Sequence, residues 1–143
     1  MKDGIGAEID YRALAEFRYE IRRYLNFSER AVHAAEIEPQ QHQALLAIKG
    51  LPPGAKATIR ALAERLQIRH HSAVELSNRL HRRGWVRKER NSEDRREVFL
   101  RLTRRGENLL LKLSIGHRDE LRTAGPRLIR ALRSVIRRRD SRA

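Results

Sequence analysis

Between Thr58 and Leu102 the apolar spacing passes from a helical to a strand period with almost no chain left over for connections. Ile59, Leu62, Ala63 and Leu66 recur at three- and four-residue steps behind Thr58, whose hydroxyl suits a helix N-cap. A few residues on, Ala73, Leu76, Ser77 and Leu80 repeat that spacing as far as Arg83-Gly84, where glycine favours a C-terminal cap. Trp85-Val86-Arg87-Lys88 and Val98-Phe99-Leu100-Arg101-Leu102 then read as two short strands. Asn91-Ser92-Glu93-Asp94 between them is turn chemistry, so the pair is expected to form a hairpin.

The flanks are helical. Leu14, Phe17, Ile21, Tyr24 and Leu25 place one apolar face on a helix from Asp10 to about Val32. Pro39 suits the first position of a second helix that carries Leu45, Leu46 and Ile48 and ends at Gly50, before the break Leu51-Pro52-Pro53-Gly54. Thr103 is expected to cap a fifth helix with Leu109, Leu110 and Leu113 inward. Gly125-Pro126 is expected to end it, and Leu128, Leu132, Val135 and Ile136 mark a sixth, with a frayed tail from about Arg137. Two short helices, a tight turn and an immediate hairpin make a winged helix-turn-helix pattern, whose second helix lies in the DNA major groove while the hairpin reaches the backbone or minor groove.

Charge agrees with that topology. The chain has 32 Lys and Arg against 18 Asp and Glu, and residues 69–105 alone hold 12 basic and 5 acidic side chains, a net of +7. Residues 127–143 add a second block of net +6, whereas residues 1–40 are net −2. Arginine dominates over lysine, which suits phosphate and guanine recognition. A chain of 143 residues with 40% hydrophobic content can bury a core, so this is not a disordered polyelectrolyte. No apolar run approaches the roughly 18–20 residues of a membrane span, and Met1-Lys2-Asp3-Gly4-Ile5 lacks a signal-peptide core, so a cytoplasmic protein with no membrane partner is expected. The absence of cysteine excludes disulfides, thiolate redox sensing and cysteine zinc sites.

The run Ala61-Leu62-Ala63-Glu64-Arg65-Leu66, the pair Arg79-Leu80, the triplet Gly84-Trp85-Val86, and above all Asp94-Arg95-Arg96-Glu97-Val98-Phe99-Leu100-Arg101-Leu102-Thr103-Arg104-Arg105-Gly106 resemble the MarR (multiple antibiotic resistance regulator) family. The last stretch is similar to the family's wing, an Asp-x-Arg leading through an apolar strand into Leu-Thr-x-x-Gly. The resemblance implies a homodimer built from the first and last helices, repression as the usual activity, and a small, often aromatic or phenolic, effector bound between the dimer helices and the DNA-binding module. Two positions depart from the pattern. Gln67 stands where glycine is usual in the turn, and Arg69 where a small polar cap is usual, so a Ser72-x-x-Glu75 capping box one turn later is an alternative helix start.

Base readout is expected from His70, His71, Ser72, Val74, Glu75, Asn78 and Arg79, which lie on the recognition helix off its core stripe. From the wing, Arg96 and Arg95 are expected to meet DNA; Asp94 lies two residues from Arg96, so in an extended strand their side chains would point the same way and Asp94 would orient Arg96 as the matching Asp-x-Arg does in the family. Adjacent His70 and His71 point in different directions on a helix and make a poor metal pair; His33, His42, His81 and His117 are scattered surface or core residues. Arg82 and Arg83 have two readings, phosphate contact or complement to the helix dipole. Trp85 reads as core. The terminal block (Arg127, Arg130, Arg133, Arg137, Arg138, Arg139, Arg142) has three: a solvated face, a further DNA contact, or a partner for acidic Asp10, Glu16 and Glu20 of the first helix.

No partner carboxylate, nucleophile or glycine-rich phosphate loop accompanies Asp94, so no catalytic group, metal or cofactor is expected. The expectation is a mostly helical single domain over 1–143: six helices and a two-stranded wing, residues 38–103 forming the DNA-binding module and 8–35 with 104–139 the dimerisation helices. Phe17, Ile21, Leu128 and Leu132 are the expected dimer contacts. The function expected is sequence-specific double-stranded DNA binding that regulates transcription. An architectural protein that coats DNA without sequence preference is the main rival; an RNA-binding winged helix lacks the aromatic clusters that stack on unpaired bases.

Overall fold

The computed structural model describes residues 9–137. Its elements run α1 (Tyr11–Ala34), α2 (Pro39–Lys49), α3 (Ile59–Leu66), α4 (His70–Arg82), β1 (Val86–Arg90), β2 (Val98–Leu102) and α5 (Arg104–Ile136). Among the described residues there are thus five helices, not six, with a two-stranded antiparallel wing. The expected break at Gly125-Pro126 does not occur, because Pro126 sits inside an unbroken α5. An interior proline costs roughly 3 kcal/mol in a lost N–H and a clash with the carbonyl four residues back. Here Arg122 is exposed, so the freed carbonyl can turn to water, and buried Ala124 and Ala131 hold the helix on either side. Arg138, Arg139 and Arg142 of the expected terminal basic block, and all but the first residue of the expected tail, lie outside the described residues.

The described residues divide into two compact units, residues 9–30 with 116–137, and Ala31–Ile115. In the first, the described parts of α1 and α5 bury residues at a seven-residue spacing, Ala13 and Glu20 on one helix and His117, Ala124 and Ala131 on the other. Such spacing keeps one seam facing its neighbour. Asp10 begins α1 by accepting the Ala13 N–H at 3.0 Å. Buried Glu20 receives Arg127 at 3.3 Å and Arg23 at 3.5 Å, so its charge is compensated. His117 lies 2.7 Å from the Ser28 hydroxyl and meets the edges of Tyr24 and Phe27. Burial, and then Glu120, raise the Tyr24 pKa above the usual phenol value.

The second unit has one core. Val32, Leu45, Ala73, Leu80, Trp85 and Val86 are buried in it with Leu100 of the wing and Leu110 and Leu113 of α5. Each large aliphatic side chain so buried contributes roughly 1.5–3 kcal/mol. Pro39 opens α2, and the Gln41 carboxamide accepts the Glu38 N–H at 3.0 Å. Thr58 caps α3 as expected, its hydroxyl accepting from Ala61 N–H at 3.0 Å. Gln67 does adopt the left-handed conformation that glycine would have taken, with φ of 54°. Gly84, with φ of 75°, ends α4 and turns the chain into the wing.

The wing is anchored at both ends. Val86 pairs with Leu102 and Arg90 with Val98, and Leu100 N–H donates to Ala57 O at 2.7 Å, tying β2 to the segment before α3. Thr103 joins wing to α5: its hydroxyl donates to Gly84 O at 2.6 Å and accepts the Gly106 N–H at 3.1 Å.

Candidate nucleic-acid interface

The α3–α4 connection is only Gln67, Ile68 and Arg69, because Gln67 folds back at once and Ile68 N–H returns to Ala63 O at 3.0 Å. The helix α4 therefore begins at His70, and the alternative start at a Ser72–Glu75 box is not taken. Arg69 is the N-cap residue and makes no side-chain cap. The first N–H groups of α4 are left for an outside acceptor, which favours an anion there.

The expected recognition residues separate into two rows by helical spacing. His70, Val74 and Asn78 line a cleft of about 990 Å³ between α3, α4 and the wing. His71, Glu75 and Arg79 form an exposed row on the outer side of α4, and Ser72 is half-buried between core and surface. Val74 also packs against the core cluster, which limits how far it can reach outward.

The cleft is cationic on three sides. Arg60 enters from α3, Lys88 and Arg90 from β1, and Arg96 from the wing tip. Its two carboxylates are engaged within the tip: Asp94 accepts the Arg96 N–H at 3.0 Å and Glu97 accepts from the Asn91 carboxamide at 2.8 Å. Among the described residues no ion pair engages Arg60, Lys88, Arg90, Arg95 or Arg96. Lys88 donates to the Asn78 carboxamide oxygen, so strand and recognition helix are joined across the cleft. Burial first, then the nearby Arg82 charge, lowers the Lys88 pKa.

Asp94 and Arg96 do not lie in an extended strand with side chains parallel; they lie in a turn closed by Glu97 N–H on Asp94 O at 3.0 Å, and β2 begins only at Val98. Asp94 thus holds the backbone of Arg96, and among the described residues no ion pair joins its carboxylate to the guanidinium. The physical reason is the local competition between an Asp side chain and the ladder: it bonds the N–H two residues on and bends the chain.

Arg83 belongs to the fold. Its guanidinium donates to Glu36 O at 2.9 Å and lies 4.3 Å over the Trp85 ring, whereas among the described residues Arg82 has neither anchor. The His81 ring N–H donates to Val86 O at 3.2 Å. Sequence reasoning missed Arg60, Lys88 and Arg90. The signal for the last two was present: Val86, Lys88 and Arg90 alternate onto one strand face, and the same face of β2 carries Leu102, Leu100 and Val98. The opposite face of the hairpin borders a smaller cleft, about 530 Å³, where Lys49 and Arg101 are balanced by Glu89 and Glu107 and Lys49 pairs with Glu107 at 2.8 Å. Of the two clefts, only the one on the α4 side carries a net positive charge.

Of the expected dimer contacts, Phe17, Ile21 and Leu128 are already half-buried within one chain, and Leu132 is exposed. Leu14, Leu25, Ile129 and Ile136 are also exposed on α1 and α5. No helix is long and apolar enough to cross a membrane among the described residues.

Residues 36–97 match the model of the MarR family. Among solved structures, AbsC, a MarR family transcriptional regulator from Streptomyces coelicolor, superposes with a TM-score of 0.70 at 18% identity, covering 82% of this chain and 78% of that one. A mutant of S. aureus MepR bound to an oligodeoxyribonucleotide superposes with a TM-score of 0.64 at 18% identity, covering 75% and 77%. A mutant of E. coli MarR complexed with operator DNA gives a TM-score of 0.57 at 21% identity over 67% of this chain and 66% of that one. These likenesses establish the fold. Against curated protein sequences the chain finds no significant match.

Proposed function

We propose that this chain, whose residues 36–97 match the model of the MarR family, is a dimeric, sequence-specific double-stranded DNA-binding regulator that represses transcription by occupying its operator. The observation that carries the reading is the union of an outer helix row with a cationic cleft whose basic side chains enter no ion pair among the described residues. His71, Glu75 and Arg79 project from α4 where a major groove would receive them, and the side chains of Arg60, Arg90 and Arg96 surround the cleft beside it. The outer row has both a donor fork and an acceptor, so it can distinguish base pairs: Arg79 suits guanine and Glu75 suits the cytosine amino group. The arginines of the cleft and wing suit phosphate oxygens, which position the protein and confer no sequence preference.

Two-fold protein symmetry would be mirrored in the operator, with half-site centres about 10 bp apart. Selection of bound fragments from random duplex DNA with the purified full chain tests this. A palindromic motif bound ~10³-fold or more above unrelated duplex supports a regulator. Equal retention of all duplexes overturns it in favour of an architectural coat.

A further inference from the structure

We propose that Glu75 sets sequence preference chiefly by exclusion: its carboxylate accepts a base pair that presents a cytosine amino group and repels other duplex surfaces, so that removing it tightens binding to unrelated DNA. The inference rests on the DNA-binding reading above and deepens it, naming the residue by which the outer row of α4 rejects non-cognate duplex.

Between Ile68 and Lys88 the chain carries six Lys and Arg side chains and a single carboxylate, that of Glu75. Glu75 stands exposed in the second turn of α4, with exposed His71 one turn before it and exposed Arg79 one turn after. Glutamate four residues ahead of arginine is the order that favours an ion pair on a helix. Even so, among the described residues no ion pair or hydrogen bond engages the Glu75 side chain. The core is served by Ala73, Leu76, Ser77 and Leu80, so Glu75 has no packing role. The first turns of a recognition helix are those that meet base edges. A carboxylate there lies between two rows of phosphates and lowers affinity for duplex DNA of any sequence. A carboxylate only accepts hydrogen bonds, so a base-edge donor alone offsets that loss. Guanine N7 and O6 and thymine O4 are acceptors and add to the repulsion. Adenine N6 is a donor flanked by acceptors on both sides, N7 and the paired thymine O4, whereas cytosine N4 has an acceptor on one side only. Glu75 thus subtracts from binding on every duplex and restores it where cytosine stands.

The test combines random-duplex selection with affinities for one selected operator and one unrelated duplex, using the full chain as wild type, Glu75→Gln, Glu75→Ala and Arg79→Ala. Both Glu75 variants are expected to bind the unrelated duplex about fivefold tighter, the scale of one unit charge near a phosphate in water, and the gain should shrink as salt rises. Cytosine preference is expected to relax at one base pair in Glu75→Ala. Glu75→Gln is expected to turn that same position towards adenine, which a carboxamide reads with both of its polar atoms. Arg79→Ala is expected to lose affinity on both duplexes. Far-UV circular dichroism and melting of each variant report on the fold. Unrelated-duplex affinity that is unchanged or weaker in both Glu75 variants overturns the proposal. So does an unchanged motif, which would make Glu75 a general repulsive charge. Relaxation confined to the position that Arg79→Ala identifies also overturns it, and would make Glu75 a positioning residue for Arg79. Failure of the wild type to enrich any motif would overturn the DNA-binding reading, and this inference with it.

Discussion

The Arg83 guanidinium links three segments: the C-terminal end of α4, the α1–α2 turn through Glu36 O, and the Trp85 ring. Arg83→Ala is therefore expected to cost about 1–2 kcal/mol, combining a charge-assisted hydrogen bond with a partly solvated cation–π contact. The melting temperature should fall while the salt dependence of DNA binding stays as in the wild type; an altered salt slope with unchanged melting would reassign Arg83 to phosphate. At this scale the sequence was only half legible. Arg82 and Arg83 are identical neighbours at a helix end, and the carbonyl that distinguishes them lies on Glu36, 47 positions away in the chain. The same holds at the wing, where Lys88 and Asn78 are 10 positions apart and meet only because β1 returns along α4. By contrast Thr58 and Thr103 were legible as caps, because their partners lie within one turn.

Elements whose boundaries depend on local chemistry were readable, and those depending on packing were not. The hairpin and the core stripe Ala73, Leu76, Ser77 and Leu80 follow from period and turn residues alone, whereas the start of α4 after Gln67 had two readings until the left-handed Gln67 decided it. The Gly125-Pro126 break failed because proline fixes a φ that a helix also uses, and tertiary burial on both sides outweighs the missing hydrogen bond. Gly106 shows a packing demand of another kind. A Cβ there would fall on the Trp85 carbonyl oxygen and 3.0 Å from its carbon, both backbone atoms that are pinned by Thr103. Gly106→Ala is accordingly expected to cost about 1–3 kcal/mol or more by overpacking, against a gain of roughly 1 kcal/mol in helix propensity. A net rise in denaturant midpoint would show that the wing and α5 separate easily. At the wing tip, Arg96→Ala should weaken binding to operator and unrelated duplex alike and lower the salt slope by about 1 for each phosphate that its guanidinium neutralises. Asp94→Ala should act more mildly, since it frees the Arg96 backbone and leaves the charge. A salt titration of both variants on two duplexes decides; full wild-type slope in Arg96→Ala would make the tip purely structural.

For the molecule as a whole, the decisive surface is the apolar one that a single chain leaves open. Leu14 and Leu25 lie three helical turns apart on α1, and Ile129, Leu132 and Ile136 follow at three- and four-residue steps on α5. Ile129 is 52% exposed and Ile136 69% exposed, too much aliphatic surface on one helix face to be usual in a monomer. The interior of the same unit is already satisfied, through Ala13, Ala124, Ala131 and the Glu20–Arg127 pair. Charge on the open face should therefore separate two chains without unfolding either. Ile129→Glu/Leu132→Glu places two carboxylates where a second copy would pack, and burying even one unpaired charge costs several kcal/mol. Sedimentation at micromolar concentration should give a dimer for the wild type and a 16.7 kDa monomer for the variant, with helical content preserved. DNA affinity should fall steeply at the same time, because each half-site alone holds one recognition helix and loses the added effective concentration of its twin. A wild type that sediments as a monomer would remove the dimer from the mechanism. A variant that stays dimeric would move the interface off α5.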